Sequence, residues 1–215
     1  ACEGVPEREL GGELLRGAIL NGIERANAAV KALGLGAGTT LAIVAIDEDR
    51  TMRTFHVGDS TVVVVGQRGR VKLQTVSHSP VGYAVEAGLI DDEDALHHPD
   101  LHLISNMVGS ERMRIEVGAR LSMSARDTLL IASDGIFDNL YMHEVVEQIR
   151  RGPLEHAAAA LIGQVNARMQ GRADEDLPSK ADDMTFILYR QRPKRRRKPK
   201  APAPPTPPVK ADNGG

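Results

Sequence analysis

GTTLAIVAIDEDRTMRTFHVGDSTVVVVGQRGRVKLQTV, residues 38–76, is the stretch that decides the fold. Thr39 to Ile46, Met52 to Val57, Thr61 to Val65 and Val71 to Val76 are β-branched and apolar runs of strand length. Between them, Asp47-Glu48-Asp49, Gly58-Asp59 and Gln67-Arg68-Gly69 have turn composition. A parallel crossover needs about a dozen residues or more, so links this short predict consecutive antiparallel strands.

Ahead of this block, Leu10, Leu14, Leu15, Ala18, Ile19, Ile23, Ala26, Val30 and Leu33 recur at helical spacing, which predicts a long helix from Glu7 to Leu33 with one buried stripe. Gly34 is its stop signal. Beyond the block, Tyr83 to Leu103 is irregular, polar and histidine-bearing, the composition of short helical turns. Strands are predicted near Met113 to Val117, from Thr128 to Ser133 and from Met184 to Tyr189. Helices are predicted over Met142 to Arg150 and, with Pro153 near its first turn, over Leu154 to Met169. Strand blocks and helix blocks are segregated, so the fold class is α+β: an antiparallel β-sandwich with helices packed outside it.

The chain has 215 residues, 41% of them hydrophobic, which suits one globular domain with a sizeable core. Its apolar runs fall far short of the roughly 18–20 residues that a membrane-spanning helix needs. Cys2 is the single cysteine, which excludes an intrachain disulfide and a cysteine-held metal cluster and fits a reducing, cytoplasmic setting. The net charge of -2 is unevenly spread. From Pro193 to Gly215, seven Lys or Arg face one Asp among seven prolines, so residues 193–215 are expected to be a disordered basic tail on an acidic domain of residues 1–192.

Three aspartates stand just beyond predicted strand ends: Asp59 in His56-Val57-Gly58-Asp59-Ser60, Asp134 in Ser133-Asp134-Gly135-Ile136-Phe137-Asp138, and Asp182 in Lys180-Ala181-Asp182-Asp183-Met184-Thr185. Carboxylates converging from strand ends, with no cysteine among them, make an oxygen-rich site suited to Mg²⁺ or Mn²⁺. Glycine beside Asp59 and Asp134 permits tight turns and close approach of backbone. Asp and Gly also end strands in proteins of every kind, so spacing alone leaves both readings open.

In order and surroundings these motifs resemble the PP2C (PPM) family of metal-dependent protein serine/threonine phosphatases. The likeness runs from Gly38-Thr39-Thr40 through Val57-Gly58-Asp59-Ser60, Ser79-Pro80-Val81-Gly82, Ile104-Ser105-Asn106-Met107-Val108-Gly109 and Ser133-Asp134-Gly135-Ile136-Phe137-Asp138 to Asp182-Asp183-Met184-Thr185, and looks most like bacterial members. The resemblance implies a four-layer αββα sandwich and hydrolysis of phosphoserine or phosphothreonine by a metal-activated water. It implies two catalytic Mn²⁺ or Mg²⁺ ions with a third, weaker one. Asp134 and Asp182 match positions that bind one catalytic ion, and Asp59 with Asp134 matches positions for the third. Asp138, Asp183 and Gly135 would support those ligands, Asp183 standing where the family usually has Asn, either to tighten the ion or to face solvent. Gly38, Thr39 and Thr40 suit a buried strand start.

Family members carry, ahead of the long helix, a strand with a phosphate-binding Arg and an acidic pair, then an Asp-Gly-x-Gly-Gly loop whose Asp bridges two metals. Residue 1 lies just before the helix, so the expectation is an N-terminally shortened domain, weakly active alone, with an unfilled sheet position and an association-prone edge. Expected partners are phosphorylated proteins and the Ser/Thr kinases that modify them. The alternative is a non-catalytic binding or regulatory protein on the same scaffold. Cys2-Glu3-Gly4-Val5-Pro6-Glu7-Arg8 matches a Cys-x5-Arg phosphatase loop in form only, since its proline removes a donor and two Glu repel phosphate. His97, His98 and His102 could serve a transition metal or simply be exposed polar residues. The basic tail could bind nucleic acid or anionic membrane, but it lacks aromatic residues for stacking on bases.

Overall fold

Two hairpins seed two sheets. In the first, β1 (Leu41–Ile46) pairs antiparallel with β2 (Thr51–Val57), Leu41 opposite Val57 and Ile46 opposite Met52. In the second, β3 (Thr61–Val65) pairs with β4 (Val71–Gln74). This computed structural model describes residues 12–172 and 177–191, so Cys2, the first residues of the predicted long helix and the basic tail lie outside it. The short strands β5 (Glu116–Val117) and β6 (Leu121–Ser122) extend the far edge of β2, while β7 (Thr128–Ala132) and β8 (Phe186–Arg190) complete a second sheet of order β4-β3-β7-β8.

The prediction that all consecutive strands pair fails at one link. β2 and β3 belong to different sheets, although only Gly58, Asp59 and Ser60 separate them. Gly58 has φ 107°, a conformation glycine adopts without steric cost, and a Cβ there would lie 2.4 Å from Thr40 Cγ2. The chain therefore turns out of one sheet and into the other. His78 locks this turn: its N–H donates to the Gly58 carbonyl at 3.1 Å, and its Nδ1 accepts the Gly58 N–H at 3.0 Å. Nδ1 is thus unprotonated, and Nε2–H donates to Glu116 Oε2 at 3.1 Å.

Three apolar clusters define the layers. Met52, Val62, Val64 and Leu129, with Val44, Leu121 and Ile131, join the inner faces of the sheets. Ile19 and Ile23 of α1 (Glu13–Ala32) pack on Phe55 and Val57 outside the first sheet. Val145, Ile149, Leu161 and Val165 of α5 (Met142–Ile149) and α6 (Leu154–Met169) cover Val63, Val65 and Leu130 outside the second. The result is the αββα sandwich. Its helical flap, α2 (Pro80–Glu86) and α3 (Asp92–Ala95), is capped by Ser79 and Asp91 side chains.

The strand predicted near Met113 shrinks to Glu116–Val117, because the Asn106 side chain takes both backbone groups of Arg114 at 2.9 and 2.7 Å. β6 and the short helix α4 (Asp134–Phe137) carry no pattern that periodicity detects. No helix among the described residues is long and apolar enough to cross a membrane. Gly58→Ala is expected to cost about 2 kcal/mol or more of stability, read from a urea midpoint, through left-handed strain and the Thr40 clash. An unchanged midpoint would show that the crossover does not need this geometry.

Candidate metal centre

The antiparallel register of β7 and β8 sets two aspartates side by side. Ala132 stands opposite Phe186, and the ladder continues as Ser133 N–H donates to the Thr185 carbonyl at 2.9 Å. Asp134, just after β7, and Asp182, just before β8, stand side by side past this end of the sheet. Each uses one oxygen locally and turns the other towards the cluster. Asp134 Oδ1 accepts the Gly135 N–H at 2.9 Å, and Asp182 Oδ1 accepts the Asp183 N–H at 2.7 Å. Gly135 is required by crowding: a Cβ there would lie 2.4 Å from the Asp183 carbonyl oxygen.

Asp138, four residues after Asp134, shares its face of the short α4 turn. Asp134, Asp138 and Asp182 offer carboxylate oxygens that all lie within 4.8 Å of one another. Asp59 is outside this trio but lines the same cleft as Asp134 and Asp138. Asp183 is exposed and contributes its backbone, with the N–H on Asp182. The expected buried strand start is not buried, since Gly38 and Thr39 are exposed and Thr40 is half-buried; even so, a Cβ on Gly38 would strike Met107 Sδ at 2.3 Å, and Thr40 Oγ1 hydrogen-bonds Ser60 Oγ at 2.8 Å. Thr39 pairs through its backbone with Val108.

A side chain that the motif reading passed over completes the cluster. Lys180 donates to Asp138 Oδ2, and its ammonium lies 3.8 Å from Asp182 Oδ2 and 4.0 Å from Asp134 Oδ2. Burial pushes the Asp138 carboxyl up to about 6, with Asp134 and Asp59 adding to the shift and Lys180 opposing it. Burial and then Asp134 also raise Asp59. Burial alone would lower Lys180, but Asp138, Asp134 and Asp182 outweigh it and hold the ammonium above its ordinary range. A cation already sits among these oxygens in the form of Lys180, and the donors are all hard carboxylate oxygens. The residues therefore fit a divalent ion of the Mg²⁺ or Mn²⁺ type.

The cleft beside the cluster has a volume of about 340 Å³. Its ionisable lining is Asp59, Glu86, Asp92, Asp134 and Asp138, and among the described residues no Lys, Arg or His lines it. Unaided, such a wall repels a phosphate dianion. Its apolar side is formed by Val81, Val85 and Leu96 of the flap. The three flap histidines do not converge: His97 reaches Tyr141 at 3.4 Å and His98 accepts the Asp100 N–H. The imidazoles that do come together are His56 and His78, whose rings stack at 4.4 Å beneath Glu116. Burial holds His56 below its ordinary pKa, against the pull of the Val76 carbonyl that its Nε2–H meets at 3.0 Å.

The fold agrees with what the chain is similar to. Residues 7–169, well over half of the chain, match the sequence profile described as Protein phosphatase 2C. The chain belongs to the protein phosphatase 2C family. A protein phosphatase 2C-type protein of Streptococcus pyogenes is 34% identical over 112 residues, 52% of this chain and 44% of that one. Protein phosphatase PhpP of Streptococcus pneumoniae is 30% identical over 112 residues, 51% of this chain and 44% of that one. The chain thus spans about half the length of these relatives. The S. agalactiae serine/threonine phosphatase superposes with a TM-score of 0.69 at 28% identity, over 84% of this chain and 73% of that one. The PPM Ser-Thr phosphatase MsPP from Mycobacterium smegmatis, solved in complex with cacodylate, superposes at 0.66 with 26% identity, over 83% and 74%.

Only an ionised carboxylate binds a cation. At about pH 5, Asp138 keeps a proton that an ordinary aspartate has lost, so Mn²⁺ affinity is expected to fall as pH drops through about 6 and to recover above it. Asp59, shifted in the same direction, adds to the loss. Isothermal titration at about pH 5 and about pH 7.5 measures this, and equal affinities would contradict the assignment of Asp138.

Proposed function

We propose that this chain performs metal-dependent hydrolysis of phosphoserine and phosphothreonine in proteins, with Asp134 and Asp182 holding one divalent ion and Asp59 contributing, with Asp134, to a further one. The observation that carries this reading is the acidic cleft: a carboxylate wall can receive phosphate only when cations stand between the two. Membership of the family supplies the reaction class. Mn²⁺ and Mg²⁺ both suit the oxygen donors, and two or three ions are the expected complement. Bound there, the cation lowers the pKa of a water and offsets phosphate charge.

The chain's own residues prepare that chemistry. The local Asx contacts of Asp134 and Asp182 hold each Oδ1 on the following N–H, so neither carboxylate has to be ordered when a ligand arrives. The flap closes one side with Val81, Val85 and Leu96, which favours a substrate whose phosphate emerges from a peptide with apolar flanking contacts. The substrates would be phosphorylated proteins and the kinases themselves, in the cytoplasmic setting to which a single cysteine points.

The test uses the 215-residue chain with a phosphothreonine peptide and Mn²⁺. We expect slow, chelator-sensitive release of phosphate, slow because the trio converges on one point while Asp59 stands apart from it. Asp134→Asn and Asp182→Asn should each lower the rate by at least about 10-fold, the scale on which even supporting residues of a metal site act. Undiminished turnover in both variants would sink the assignment. Retention of Mn²⁺ and phosphopeptide without any hydrolysis would turn the reading towards a binding scaffold.

A further inference from the structure

We propose that Lys180 is a built-in counter-cation of the metal centre: its ammonium holds the carboxylate trio together when no divalent ion is present and competes with that ion for the site. The inference rests on the metal-centre reading above and adds a regulator to it. Metal uptake then becomes an exchange, in which the ion enters as the ammonium leaves Asp138.

The placement of Lys180 is built into the structure. An ordinary surface lysine swings freely, and its ion pairs are loose. Here the Lys180 N–H donates to Asn139 Oδ1 at 2.8 Å, and Asn139 Nδ2 donates to the Lys180 carbonyl at 2.9 Å. Asn139 is 0% exposed, and its Nδ2 also meets the Gly135 carbonyl at 3.0 Å, one residue from Asp134. One residue upstream, Ser179 Oγ donates to the Arg168 carbonyl of α6 at 2.7 Å. The stem of Lys180 thus leaves a fixed point, clamped to the same turn that carries Asp134 and Asp138. The ammonium makes its direct contact with Asp138, the most buried of the three carboxylates, and stands about equally far from the other two.

Electrostatics fixes the direction of the effect. Without the ammonium, three carboxylates whose oxygens lie within 4.8 Å would repel one another in a half-buried setting, with Asp59 nearby. With it, the trio is assembled and partly neutralised before any metal arrives. A divalent ion held by the same oxygens would share them with the ammonium and be repelled by it unless the side chain moved. There is room for that movement: a cavity of about 620 Å³ lies on the flap side of Lys180, bordered by Asp138, His98, His102 and Pro178.

The experiment measures Mn²⁺ binding to the full chain by electron paramagnetic resonance, with thermal melting in chelator and in Mn²⁺ as a second readout. Lys180→Met should bind Mn²⁺ at least about 10-fold more tightly than the parent, the order set by a unit charge beside the shared oxygens. It should melt lower in chelator and gain more on adding Mn²⁺. Lys180→Arg, which keeps the unit charge, should bind within about 3-fold of the parent. Lys180→Gln replaces the methionine variant if that one is not recovered folded. Equal or weaker binding by the neutral variants, in a chain whose Mn²⁺ site is still lost with Asp182→Asn, overturns the role of Lys180 and leaves the metal centre standing. No Mn²⁺ binding by parent or neutral variant overturns both.

Discussion

Like charge gathered at one edge of a sandwich is the constraint on which this structure turns. Asp59, Asp134, Asp138 and Asp182 are brought to the end of the second sheet and its crossover, where burial and neighbouring carboxylates oppose the ionisation of Asp59 and Asp138. Repulsion of this kind must be offset, and the fold does so locally. Two of the carboxylates bind the N–H of the next residue, a third binds an ammonium, and a glycine at residue 135 lets the Asp183 carbonyl pass close enough to bring both segments together. The site is thus a property of strand register and tight turns as much as of the acids themselves.

The helices behind the second sheet hold that edge in place. Arg168, 3% exposed, donates to the Asn139 carbonyl at 2.9 Å and to Glu144 Oε1 at 2.6 Å. Glu144 in turn accepts from Gln164 at 2.8 Å and, through Oε2, from the Tyr141 N–H at 2.9 Å. A buried pair of this kind costs about 3–5 kcal/mol when one partner is removed. Asn139 carries the constraint outward to Gly135 and Lys180. Packing between α5 and α6 is therefore continuous, bond by bond, with the geometry of the carboxylates.

The layers were legible because their signals are periodic. Thr61 to Val65 and Thr128 to Ser133 read as strands from their apolar, β-branched runs, and Ile19 and Ile23 as part of a buried helical stripe from their spacing. The crossover at Gly58 was not, since a positive φ turns a short link into a change of sheet without altering its composition. β6 and α4 are too short to show a period. At the site, Asp59, Asp134 and Asp182 stand out by their position just beyond strand ends. The closeness of Asp138 to Asp182 and the arrival of Lys180 depend on the β7–β8 register and on Asn139, which no local pattern encodes. Lys180 lies two residues before Asp182, a proximity that hints at charge pairing but not at which carboxylate it meets.

The crossover also divides the molecule unevenly. Asp134, Asp138 and Asp182 all hang from the second sheet and its helices, whereas Asp59 alone rides the link from the first. Ile19 and Ile23 are the buried residues of the helix covering the first sheet, and β1 is half-buried along its whole length. Local opening follows the weakest packing, so amides of α1 and β1 should exchange with solvent well before those of β3 and β7. Three of the four carboxylates thus belong to one sheet's end and the fourth to the link between sheets, with a single glycine, Gly58, at the join.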